Sequence, residues 1–111
     1  MSYSRVPQKV DANQGEIVKA LRKAGCSVRS TASIGDGFPD AIVGVNGHTF
    51  LLEIKNPEYR TKGDPGRDLS DAEIAFLASW RGGVVSVVYT EAEALAAVGL
   101  ESAPRGAGGE K

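Results

Sequence analysis

A chain of 111 residues, 41% of them hydrophobic, holds enough apolar material for one modest core and no more. Its 13 basic and 14 acidic residues nearly cancel, so bulk charge does not mark a nucleic-acid binder, and any polyanion site must be a local patch. The single cysteine, Cys26, excludes an internal disulfide and gives no metal-type spacing; with no apolar run of about 18 residues and no hydrophobic leader, the expectation is a soluble, cytoplasmic protein without membrane contact.

Residues 1–10 are polar and are expected to be a flexible segment ahead of one domain over residues 11–100. Asp11 is the predicted N-cap of a first helix, with Gln14 three residues on and Ile17, Val18, Ala20, Leu21 and Ala24 at helical spacing. Gly25 ends that helix. The run SVRSTASI then places Val28, Ser30, Ala32 and Ile34 on one face of a strand, closed off by Gly35-Asp36-Gly37. Two further strands, Phe38 to Val45 and His48 to Lys55, flank Asn46-Gly47, a strong signal for a type I′ hairpin turn.

From Asn56 to Asp68 the chain has two prolines, two glycines and no apolar period, which predicts a long loop. Loops of that length in compact domains are usually functional or disordered. Ser70 and Glu73 form a capping box for a second helix, with Leu69 placed to staple onto Ile74, and the helix runs through Phe76, Leu77 and Trp80 to Gly82-Gly83. Val84 to Thr90 is a short apolar strand; Thr90 and Glu93 cap a last helix, and the tail over residues 101–111 is expected to be disordered. The order αβββαβα predicts an α/β arrangement with a central mixed sheet flanked by helices.

The hairpin carries the chemistry. Counting outward from Asn46-Gly47 pairs Val45 with His48, Val43 with Phe50, Ala41 with Leu52 and Asp40 with Glu53. Alternation then puts Asp40, Glu53 and Lys55 on one face, and Ala41, Val43, Val45, Phe50, Leu52 and Ile54 on the other, which must be core. Two opposed carboxylates repel and need a compensating charge. Lys55 supplies one and a divalent cation would supply more; oxygen-only ligation favours Mg²⁺ or Mn²⁺ over zinc. Two carboxylates, such an ion and a lysine that orients or activates water or stabilises a phosphorane-like transition state imply phosphodiester hydrolysis.

Pro39-Asp40, a dozen residues, then Glu53-Ile54-Lys55 resembles the motif of the PD-(D/E)XK nuclease superfamily. The order of helix, GxGxPD turn, hairpin, ExK strand, loop, LSxxE helix and short strand is similar to that of small VRR-NUC-type phage nucleases and their Holliday-junction-resolvase relatives, over roughly residues 11 to 98. The resemblance implies a restriction-endonuclease-like core and a metal-dependent DNA endonuclease, with branched DNA among its substrates, in the cytoplasm of a bacterial or phage-infected cell. Asp40 and Glu53 would bind Mg²⁺ and Lys55 would assist the nucleophile. Glu16 matches the family's first-helix glutamate and would be a third ligand, although on the helical wheel it stands at the margin of the apolar stripe, equally able to pair with Lys19 or Lys23 in water. Many relatives carry glutamine where this chain has Glu73; the capping box explains Glu73 fully, and an auxiliary catalytic part for it stays open.

A nuclease needs positive charge beside its site. The loop after the ExK strand offers Arg60, Lys62 and Arg67 with Tyr59 among them as DNA contacts, and Arg29, Arg22, Lys9 and Arg5 are further unranked basic residues. A symmetric homodimer would supply the two sites that branched or two-stranded DNA requires. Two other readings compete: a nuclease-like fold that binds nucleic acid or protein without cleaving, and a structural domain in which Asp40, Glu53 and Lys55 form a salt-bridged triad.

Overall fold

The structure, a computed structural model, describes residues 8–57 and 69–100. Residues 1–7 of the expected flexible segment, loop residues 58–68 and the tail 101–111 lie outside the described residues. The elements follow in the order α1 (Gln8–Lys23), β1 (Ser27–Ser30), β2 (Ala41–Val45), β3 (His48–Ile54), α2 (Asp71–Ser79), β4 (Val85–Val88) and α3 (Glu91–Ala97), which is the predicted αβββαβα order. They build an α/β fold around a four-stranded mixed sheet in the order β1-β2-β3-β4, antiparallel throughout except for the parallel pair β3 and β4.

Helix α1 starts three residues ahead of Asp11. Nothing in Gln8-Lys9-Val10 breaks a helix, so the helix begins before the capping signal read at Asp11. The other end is as predicted: Gly25 has φ +102° and donates to Arg22 O, while Cys26 donates to Leu21 O, the paired bonds of a Schellman cap. Cys26 follows directly as a buried, free thiol whose pKa burial pushes up.

The strand expected over SVRSTASI is shorter. It ends at Ser30, and Ala32–Ile34 form a 3₁₀ turn that leaves Ile34 57% exposed rather than on a buried face. Thr31 causes the break. Its N–H still makes the in-register bond to Asp40 O at 2.8 Å, but its hydroxyl donates to Pro39 O at 2.7 Å and its carbonyl accepts the Ile34 N–H at 3.1 Å, which opens the 3₁₀ turn.

The hairpin has the expected register, from Val45↔His48 through Val43↔Phe50 to Ala41↔Leu52, with both turn residues at positive φ (Asn46 54°, Gly47 81°) as a type I′ turn requires. Ala41, Val43, Leu52 and Ile54 are buried with Ile17 and Leu21 of α1, Val28, Val88 and Ala94 of α3; Val45 and Phe50 pack at the margin. One face of the sheet is therefore closed by α1 and α3. Helix α2 has the full capping box at Ser70 and Glu73 but no buried residue, and Ile74, expected to be stapled by Leu69, is 48% exposed. Phe76 packs edge-on against Phe38 at 5.3 Å, and Trp80 stacks on Phe76 at 5.1 Å rather than on the sheet. No helix among the described residues is long and apolar enough to cross a membrane.

Candidate active site

Asp40, Glu53 and Lys55 come together at one end of the sheet, where β2 begins and β3 ends. The regular ladder stops one pair short of the expected Asp40–Glu53 opposition, at Ala41↔Leu52. Beyond it Asp40 donates its N–H to Leu52 O, and the Ile54 N–H donates to the Asp40 side chain, Oδ2, at 2.8 Å. The side chain of Asp40 thus takes the place of a ladder carbonyl. That bond fixes one carboxylate oxygen and brings the carboxylate against Glu53 across a break in the pairing.

Glu53 is only 4% exposed. Burial first, then a hydrogen bond to the Glu73 carboxylate and the nearby charges of Asp40 and Glu73, push its pKa up to about 9, against the pull of Lys55. Burial also raises Asp40, although the Ile54 N–H and Lys55 work the other way. At neutral pH the cluster therefore holds a proton on Glu53, which donates to Glu73. Burial tends to raise Glu73 as well, but the hydrogen bonds from Glu53, the Ser70 N–H and Lys55 outweigh it and leave Glu73 ionised, below its ordinary value.

Lys55 Nζ lies 2.9 Å from Glu73 Oε1 and 3.5 Å from Glu53 Oε2. Burial works against its charge, but these carboxylates prevail and raise its pKa, so it is a held cation and not a free base. Glu73 Oε1 also accepts the Ser70 N–H at 2.9 Å. One oxygen thus serves as helix cap and as lysine anchor, so capping does not exhaust the part Glu73 plays.

Three residues outside the motif hold the cluster in place. Gly37, at φ +79°, packs so closely on the first turn of α2 that an added Cβ would overlap the carbonyl of Ala72 and stand 2.9 Å from Glu73 N. Thr31 grips Pro39 and Asp40 as described. Asn13 Nδ2 donates to Lys55 O at 2.9 Å and Tyr89 O at 3.4 Å, tying α1 to the ends of β3 and β4. Two of them had a sequence signal, the second glycine of GDG and an asparagine four residues before Ile17 on the apolar stripe of α1; Thr31, inside the run read as a strand, had none.

Glu16 is exposed on α1, and among the described residues no hydrogen bond or ion pair joins it to this cluster. The helix turns about 100° per residue, so burying Ile17 directs its neighbour elsewhere. His48 is exposed beside the hairpin turn, and Asp36 is exposed with φ 54°. Tyr59, Arg60, Lys62 and Arg67 lie outside the described residues.

Three carboxyl groups face one ammonium in a mostly dry setting. The excess charge is met by a proton on Glu53, and a divalent cation is the alternative compensation for the same excess. Among the described residues, no group of three or more His, Cys, Asp or Glu side chains is arranged to hold a metal. Asp40 and Glu53 offer oxygen donors of the kind a hard divalent cation takes, and two such donors fall short of an all-protein cage. No protein-family model matches this chain, and neither a curated protein nor a solved structure is significantly similar to it.

Proposed function

We propose that the chain is a Mg²⁺- or Mn²⁺-dependent DNA endonuclease with a restriction-endonuclease-like core, acting in the cytoplasm as a homodimer on duplex or branched DNA. One observation carries this reading: Asp40 and a buried Glu53 converge beside a lysine whose ammonium is paired with Glu73. Asp40 and Glu53 would hold the cation, which supplies charge neutralisation at the scissile phosphate and a lowered pKa for water. Lys55, kept charged chiefly by Glu73, is suited to orient the attacking water or to meet charge developing on a phosphate oxygen, in preference to removing a proton. Asp40 keeps one oxygen on the Ile54 N–H, so it presents the other with little freedom.

A second reading draws on the same contacts. The Lys55–Glu73 ion pair and the proton on Glu53 satisfy the cluster without an ion, as a non-cleaving binding module would require. The deciding experiment incubates the folded protein with single-stranded, duplex, nicked, flap and four-way DNA and either ion. Cleavage that Asp40→Asn abolishes supports the nuclease; no cleavage of any substrate refutes it. Glu16→Gln then tests the third ligand, since undiminished cleavage restricts the set to Asp40 and Glu53.

A further inference from the structure

Away from the carboxylate cluster, a groove of about 550 Å³ runs between α1 and the edge strand β1, lined by Gln14, Gly15, Val18, Lys19, Arg22 and Ser30. Two of these residues are costly as they stand. Gln14 Nε2 is buried without a hydrogen-bond partner among the described residues, and an unmade bond of that kind is destabilising. Gly15 sits inside α1, where glycine weakens a helix. Close packing does not explain it, because a Cβ placed there would meet nothing within 4 Å. A ligand lying along the groove would occupy the space that Gly15 leaves open.

The lining specifies the chemistry of that ligand. Lys19 and Arg22, one helical turn apart, stand with the Gln14 amide and the Ser30 hydroxyl, Arg22 also donating to Val28 O, and among the described residues no acidic one contributes. This is a row of donors and positive charge over an apolar floor at Val18. It matches alternating phosphates and sugars better than a compact anion. From Gln14 to Arg22 the row spans roughly 12 Å at the helical rise per residue. Both walls begin at the active end of the sheet: Ser30 pairs with Ala41, next to Asp40, and Gln14 follows Asn13, which holds the Lys55 carbonyl.

We propose that the groove between α1 and β1 binds the sugar–phosphate backbone of a DNA strand. The nuclease reading enters only in the choice of DNA as the polyanion. The test is binding of a fluorescent single-stranded oligonucleotide of about 12 nucleotides to the full chain in EDTA, where cleavage plays no part. Gly15→Leu and Lys19→Glu should each weaken binding by about tenfold or more, while Lys23→Glu, the same charge change on α1 outside the groove, should weaken it by less than about threefold. Gly15→Leu should melt no lower than the unaltered chain, which separates a filled groove from a damaged fold. Equal losses for Lys19→Glu and Lys23→Glu, wild-type affinity for Gly15→Leu, or no binding by the unaltered chain would each overturn the proposal. So would polyglutamate binding with the same sensitivity to the variants. Binding of this pattern by a protein that cleaves nothing removes the nuclease reading and leaves the groove, whereas cleavage with unaffected variants removes the groove alone.

Discussion

Replacing Glu53 by glutamine should stabilise the metal-free protein at neutral pH, although it removes a carboxylate 3.5 Å from a lysine. The folded-state pKa of Glu53 stands at about 9 against an ordinary 4.5. Below pH 4.5 the group is protonated in both folded and unfolded chains, and its contribution to stability is fully present. As pH rises, the unfolded chain releases the proton while the folded one keeps it, so stability declines until the folded group ionises near pH 9. At pH 7 the gap to the ordinary value amounts to about 3 kcal/mol, a large part of the margin of a small domain. Glutamine keeps the shape and a donor toward Glu73 without that cost. Thermal unfolding followed by circular dichroism in EDTA should therefore show the two proteins close together at pH 4 and Glu53→Gln melting roughly 10–20 °C higher at pH 7. Mg²⁺ or Mn²⁺ should raise the melting temperature of the unaltered protein and leave Glu53→Gln unmoved, because the ion competes with the proton for a carboxylate that glutamine lacks. A lower melting temperature for Glu53→Gln at pH 7, or two parallel pH profiles, would show Glu53 ionised and paired with Lys55, and the argument would fail.

Other substitutions test the supports of the cluster. Gly37→Ala, at positive φ and in contact with the first turn of α2, should cost about 3 kcal/mol in urea unfolding; a loss below about 1 kcal/mol would mean that the turn and α2 separate easily. Gly15→Ala should move the same measurement the other way by about 1 kcal/mol, since its Cβ meets nothing. Asp40→Asn should abolish cleavage and the metal response while the protein stays folded, because the asparagine carbonyl can still accept the Ile54 N–H. Glu73→Gln should retain the cap but lose the ion pair with Lys55, lowering the cleavage rate and destabilising the fold modestly; an unchanged rate would leave Glu73 as a cap alone.

Local signals were legible wherever one residue type has one physical use. Asn46-Gly47 fixes the hairpin register because few pairs accept positive φ twice, and Gly25 and Ser70 mark helix ends for comparable reasons. Alternation from that turn then separates Leu52 and Ile54 from Glu53 and Lys55 correctly. It fails at Asp40, because counting assumes that backbone meets backbone, whereas here a side-chain oxygen receives the Ile54 N–H. The overlong first strand failed likewise: Thr31 looked suited to a strand, but its hydroxyl goes to Pro39 O and its carbonyl accepts the Ile34 N–H. The sequence left Glu73 open between cap and site because the capping box already explained it, and nothing in a sequence tells that one oxygen accepts two bonds.

Those hidden features belong to one arrangement. Helix α2 buries none of its residues, so apolar packing alone does not hold it over the sheet. Among the described contacts, what holds it is Gly37 against Ala72 and Glu73, Phe38 against Phe76, and the bonds of Glu73 to Lys55 and Glu53. The first two belong to the turn that carries Asp40, and the third to the end of β3. Displacing α2 would therefore disturb both the Asp40 turn and the charge on Lys55, and disordering the Asp40 turn would release α2. Such mutual dependence makes effects within the cluster non-additive. A cycle of Gly37→Ala and Glu73→Gln should accordingly lose less stability in the double variant than the two single losses together, since each change loosens the contact that the other needs; strict additivity would show that the turn and the lysine anchor hold α2 independently.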